Sequence, residues 1–190
     1  MAIARSSRRL QTDGLFVGFA GRIGAGKTTA ALYLRSKYGF QYARYSQTLR
    51  TWLGADATAS DRIQAVGWEV MTGGKQLELN ARLIAELNLS QSATIDGLRH
   101  PIDHQSLSRA FGDSFHMIFL EAGPAVRFER KRSRFATFAD FQAADRQPVE
   151  AQIDNLMPLA AATITNEASL GSLHEGLDNW VEVWDKENAR

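Results

Sequence analysis

The sequence predicts a single α/β domain in three layers, with a five-stranded parallel sheet between two layers of helix. Three observations predict it. Short apolar runs of strand length alternate with helix-length amphipathic stretches along nearly the whole chain. The 190 residues are 44% hydrophobic and 23% charged, which supplies one sizeable core, and no linker splits the chain in two. A glycine-rich turn joins the first apolar run directly to the first helical pattern.

The elements follow in order. LFVGFA (15–20) is short, apolar and preceded by a turn signal, which marks a buried strand. KTTAALYLRSKYG (27–39) is a helix closed by Gly39. FQYARYS (40–46) is aromatic and alternating, a second strand. Residues 47–89 are mostly helical, with breaks near Gly54 and at Gly73-Gly74. SATIDG (92–97) is the third strand, and HQSLSRAFG (104–112) a helix ending at Gly112. SFHMIFLEA (114–122) is the clearest strand, after which Pro124 starts a helix carrying many arginines. ATITNEAS (162–169) is a fifth strand running into a loop. The closing helix, 169–184, sets Leu170, Leu173, Leu177, Trp180, Val181 and Trp184 on one side.

Net charge is +1, which argues against a strongly basic nucleic-acid binder. No cysteine is present, which removes disulfides, thiolate metal sites and a cysteine nucleophile, and fits a reducing cytoplasm. No apolar run approaches the roughly 20 residues of a membrane span. Residues 1–13 hold Arg5, Arg8 and Arg9 without an apolar stretch, so a frayed tail is expected in preference to an organellar presequence. Residues 14–190 then form the domain.

GRIGAGKT (21–28) fits the spacing G-x-x-x-x-G-K-[ST] through Gly21, Gly26, Lys27 and Thr28. A loop that wraps a phosphate with backbone N–H groups needs side chains out of the way, which Gly21, Gly24 and Gly26 provide beside Ala25. The following helix points its positive end at the anion. Lys27 brings a full charge to the β and γ phosphates, and the Thr28 hydroxyl suits Mg²⁺; Thr29 lies one place off the spacing. A glycine turn beside a solvated lysine would not explain strand, spacing and helix together. No N-K-x-D or D-x-x-G motif is present, which argues against a GTPase.

Four stretches make the chain resemble the P-loop nucleotide kinases, a family that holds nucleoside monophosphate kinases and dephospho-CoA kinases. They are GRIGAGKT, YSQTLR (45–50), IDGLRHP (95–101) and ITNEASLGSL (164–173), and the archaeal dephospho-CoA kinase-like branch is the most similar. The resemblance implies strand order 2-3-1-4-5, acceptor-binding helices over about 47–89 and a small lid over about 132–150. It implies ATP and Mg²⁺ as cofactors and Ser46 and Arg50 on the acceptor phosphate. Arg146 resembles the arginine that follows the lid, and Asn166 lies where the family's adenine loop runs, or else caps the last helix.

Asp96 ends the third strand, where a carboxylate can hold Mg²⁺ through water or take a proton from an attacking hydroxyl. Arg99 stands three residues on and can bridge the phosphates in transfer. His100, before Pro101, is expected at the surface. Arg127, Arg130 and Arg134 fall at i, i+3 and i+7, one face of a helix, which suits either an anion target or solvent. The family places lid arginines here, and Arg130 and Arg134 are the candidates. Phe135, Phe138 and Phe141 suit a core better than a wall for a base.

The expected activity is ATP-dependent transfer of a phosphoryl group to a (deoxy)nucleoside monophosphate. Dephospho-CoA is the second acceptor, and a nucleotide-binding regulator with little turnover is the reading from another class.

Overall fold

The computed structural model describes residues 14–54 and 60–188; the expected N-terminal tail, 1–13, lies outside them. Five strands form one parallel sheet: β1 (Phe16–Ala20), β2 (Gln41–Arg44), β3 (Ala93–Leu98), β4 (Phe115–Glu121) and β5 (Ala162–Thr165). Their order is β2-β3-β1-β4-β5, as the family resemblance implies, and every pair is parallel.

β1 is buried along its whole length and its side chains alternate between two cores. Phe16 and Ala20 face the helices α2 (Tyr45–Leu53), α3 (Ser60–Thr72), α4 (Gln76–Ala85) and α5 (Pro101–Phe111), meeting Leu49, Val70, Leu79, Leu83 and Leu107. Val17 and Phe19 face α1 (Lys27–Tyr38) and α9 (Leu170–Asn188), meeting Ala30, Leu34, Leu173, Leu177 and Trp184. On the apolar stripe expected for α9, Leu170 instead lies 56% exposed, one turn before the helix reaches the sheet. A third, small cluster joins Ile23 of the glycine loop to Phe135 and Phe141. Phe141 lies on α7 (Phe138–Asp145), which is followed by α8 (Pro148–Ala151) and a 3₁₀ stretch over Gln152–Leu159. Phe135 and Phe141 are thus core, while Phe138 is 39% exposed.

Two boundaries differ from the sequence reading. The second strand stops at Arg44, and Tyr45 opens a helix. Tyr45 is buried in the core that helices α2 to α5 share and its hydroxyl donates to Asn80, so tertiary burial overrides the aromatic strand preference. The arginine helix, α6 (Pro124–Glu129), has only six residues, and the chain continues in turns through Arg134. Arg127, Arg130 and Arg134 therefore share no helical face. Arg127 instead points into the protein, donating to the carbonyls of Ala122 and Ile23 and bidentately to Asp145 at 2.6 and 2.9 Å.

Among the described residues, no helix is long and apolar enough to cross a membrane.

Candidate functional site

The glycine loop leaves the carboxyl end of the central strand β1, where a parallel sheet opens its crevice. Gly21 has φ +141°, and a Cβ there would strike the Leu120 carbonyl of the neighbouring strand. Gly26 has φ +107°, and a Cβ there would strike the amide of Asn166. Both the backbone angle and the space thus call for glycine.

Lys27 opens α1, and its ammonium donates to the carbonyls of Gly21 at 2.5 Å and Arg22 at 3.0 Å. Burial pushes its pKa down to about 8, with Arg99 and Lys131 adding repulsion and Glu150 and Asp96 opposing. An anion at the loop would return what burial takes away. One residue on, the Thr28 hydroxyl donates to Asp96 Oδ2 at 2.6 Å. Asp96 is 2% exposed, accepts from Tyr42 at 3.0 Å and sits 3.4 Å from Arg44 Nε. Burial, followed by the Asp96 charge, pushes the Tyr42 phenol up to about 12, so it stays a neutral donor. A hydroxyl and a carboxylate side by side at a phosphate loop form a hard-oxygen set that suits Mg²⁺. Among the described residues, no cluster of three His, Cys, Asp or Glu offers another metal site.

The cleft in front of this pair is strongly cationic. Among the described residues, Lys27, Arg44, Arg50, Arg99, Lys131 and Arg134 line it, with Asp96 as the carboxylate. Gly24, Gly26, Thr28, Thr29 and Ser46 supply smaller walls.

The remaining site candidates are placed as follows. Arg50 of α2 and Arg99, just after β3, line the cleft, and Arg99 is paired with the fully buried Glu150 of α8. Arg134 reaches it from the turn before α7, over the Phe135 ring. Arg130 is not among the cleft residues; its guanidinium donates to Asn166 Oδ1 at 3.3 Å. Asn166, after β5, in turn donates to the Ala25 carbonyl at 2.8 Å, so it braces the glycine loop from behind. Ser169, not Asn166, caps α9, accepting from the Ser172 N–H. Arg146 is exposed at the end of α7, outside the cleft, because Arg22 and Arg127 already fill the inward face of that helix through Asp145.

A second pocket continues the cleft past Ser46, Gly97 and Arg99, which line both. Leu49, Ile63, Met71, Leu79 and Val149 form its walls, and Gln76 and His100 also line it. The Ser46 hydroxyl is buried where the two spaces meet and, among the described residues, has no hydrogen-bond partner. A buried hydroxyl without a partner is costly, so this one suits a bound ligand.

Several of these groups escape the sequence motifs. Tyr42 and Arg44 have a signal: two residues apart on one strand, they share a face, and Arg44 pairs in register with Asp96. Lys131 is hidden within the arginine run. Glu150 and Gln76 have none, because what places them is a partner dozens of residues away.

No family model matches the chain, and no curated protein sequence does. Solved structures share its fold. A gluconokinase from Sinorhizobium meliloti superposes with TM-score 0.61 at 14% identity, over 95% of this chain and 99% of that one. The APS kinase of Mycobacterium tuberculosis, in complex with AMPPNP and APS, gives 0.58 at 16% identity over 90% and 98%. Shikimate kinase from Acinetobacter baumannii, in complex with shikimate, gives 0.57 at 13% over 93% and 96%. The chain shares the fold of these three kinases.

Proposed function

We propose that the chain is an ATP-dependent phosphotransferase whose acceptor is a nucleoside monophosphate. The observation that carries this is the cationic cleft: six cations surround the Thr28–Asp96 pair at the mouth of a phosphate loop. Even with Arg99 paired to Glu150 and Arg44 beside Asp96, cations line the cleft from the loop side and from α2, which supports a metal–triphosphate together with a second anion on the acceptor. The APS kinase structure, with AMPPNP and APS bound, supports a fold of this kind holding an ATP analogue and a nucleotide together.

The mechanism follows from position and charge. The loop amides and Lys27 hold the β and γ phosphates of ATP. Thr28 and Asp96 would hold Mg²⁺, which supplies charge neutralisation on those phosphates. Arg50 and Arg99 grip the acceptor phosphate, with Ser46 as a further donor. Arg44 and Lys131, from opposite sides of the cleft, and Arg134 stabilise charge on the group in flight. A phosphate oxygen is already ionised, so this acceptor needs no base; Asp96 stays a carboxylate tied to Thr28 and Tyr42.

Dephospho-CoA is the second reading. A groove lined by Trp68, Phe135, Ala144 and Pro148 meets the cleft at Arg134 and suits an elongated acceptor. Its attacking group is a hydroxyl, for which Asp96 is the base.

The test is mass analysis of products after incubation with ATP, Mg²⁺ and each ribo- and deoxyribonucleoside monophosphate or dephospho-CoA. A diphosphate product from one monophosphate supports the proposal. Phosphorylation of dephospho-CoA alone moves the assignment to the second reading, and ATP binding without any product moves it to a regulator.

A further inference from the structure

Asp103 lies 1% exposed on α5, beneath the second pocket, and its carboxylate is saturated. Oδ2 accepts from the backbone N–H groups of Arg99 and His100, each at 3.0 Å. Oδ1 accepts from the side-chain amides of Gln76 at 2.5 Å and Asn80 at 3.0 Å. An ionised carboxylate only accepts, so both amides must turn their nitrogens toward it. Asn80 spends its carbonyl on the Tyr45 hydroxyl. Gln76 keeps its Oε1, and among the described residues nothing donates to that atom. Gln76 lines the pocket, so the pocket receives a fixed acceptor.

His100 is fixed by a different route. Its Nδ1 accepts from the Ile102 N–H at 3.1 Å and caps α5. A neutral imidazole whose Nδ1 accepts carries its proton on Nε2. Among the described residues Nε2–H has no partner, and His100 also lines the pocket. One wall thus offers a carbonyl acceptor and a ring N–H donor, both oriented by bonds on their far sides. The other walls are aliphatic: Leu49, Ile63, Met71, Leu79 and Val149.

We infer that this pocket is a base-reading subsite. It takes a planar heterocycle that presents a hydrogen-bond donor and acceptor on one edge to Gln76 Oε1 and His100 Nε2–H. The inference rests on the proposed function and names the part of the acceptor that lies beyond Arg99. A polyhydroxylated acid, with polar groups all round, would leave hydroxyls unpaired against five aliphatic side chains. A heterocycle buries two apolar faces there and keeps its polarity on the edge. Ser46 and Arg99, which line both spaces, put the acceptor's phosphate at the junction and its ring in the pocket.

Calorimetric titration of the full chain tests this, with four nucleoside monophosphates and ribose 5-phosphate as probes. His100→Ser withdraws the ring N–H from the pocket but keeps a residue that caps a helix well, so the fold is retained. Gln76→Met removes the pocket acceptor and leaves Asp103 Oδ1 bonded to Asn80. At least one nucleotide is expected to bind about tenfold or more tighter than ribose 5-phosphate, and each substitution to weaken it about tenfold, the worth of one buried hydrogen bond. Ribose 5-phosphate binding stays as it was. Equal binding of nucleotides and ribose 5-phosphate, unmoved by either substitution, overturns the subsite and leaves phosphoryl transfer standing. Failure of every phosphate-bearing probe to bind, while ATP binds, overturns the proposed function and the subsite with it.

Discussion

In the phosphate cleft the groups proposed to meet ATP come from one continuous run, Gly21 to Thr28, with Asp96 added from the neighbouring strand. The pocket beside it draws on α2, α3, α4, the turn after β3, and α8, and its polar wall is set by one buried carboxylate, Asp103. The first space is made by backbone, which any sequence with the right glycines can supply. The second is made by side chains that hold one another. A change in the first should act on chemistry, and a change in the second on which acceptor is accepted.

The largest expected effect comes from Lys27→Ala. Removing a cation aimed at the transferred phosphate should lower kcat by about 10²–10³-fold. Burial already disfavours the lysine's charge, so urea unfolding should show no loss of stability. A fall in stability matching the fall in rate would blur the line between chemistry and scaffold.

Arg127→Ala comes next and acts on the scaffold alone. It leaves Asp145 buried with its bidentate partner gone and frees the Ile23 carbonyl, so about 3–5 kcal/mol of stability should be lost in a urea titration. Asp103→Asn is smaller and should fall on one side only. The new amide cannot accept from Gln76 and Asn80 on its nitrogen side, so Gln76 must turn. The KM for the acceptor should rise about tenfold while that for ATP stays within about twofold. Equal rises in both would mean that the two spaces are one.

The last effect is a pH dependence confined to the phosphate cleft. With a pKa near 8, Lys27 is charged below that pH and neutral above it. ATP favours the charged form, so above about pH 8 binding must take up a proton. ATP affinity should therefore be flat below pH 8 and weaken toward tenfold per pH unit above it, and Lys27→Ala should abolish the slope. Titration of ATP across pH 6.5–9.5 reads this directly.

The same contrast explains what was legible in the sequence. The strands and the glycine loop could be read because each rests on a local pattern: apolar runs, glycine spacing, a lysine in register; the order of the strands came only with the family resemblance. Asp96 could be read because it lies near the carboxyl end of a strand. Arg127 could not, since counting three and four residues assumes a helix, and α6 stops at Glu129. Nor could the role of Asn166: its amide meets Ala25 across 141 positions, a contact that only the sheet order creates. Arg22 and Ile23 fill variable places of the loop motif, yet they tie the loop to Asp154 and to the Phe135–Phe141 cluster. His100 was expected at the surface, and its Nδ1 cap and place in the pocket come from the turn into α5.

The most direct measurement is steady-state ADP release from ATP and Mg²⁺, with and without each nucleoside monophosphate, in the natural chain and in Lys27→Ala. The account predicts slow release alone, strong stimulation by at least one monophosphate, and loss of that stimulation in the variant. Release that no monophosphate stimulates, from a chain that binds ATP, would contradict it.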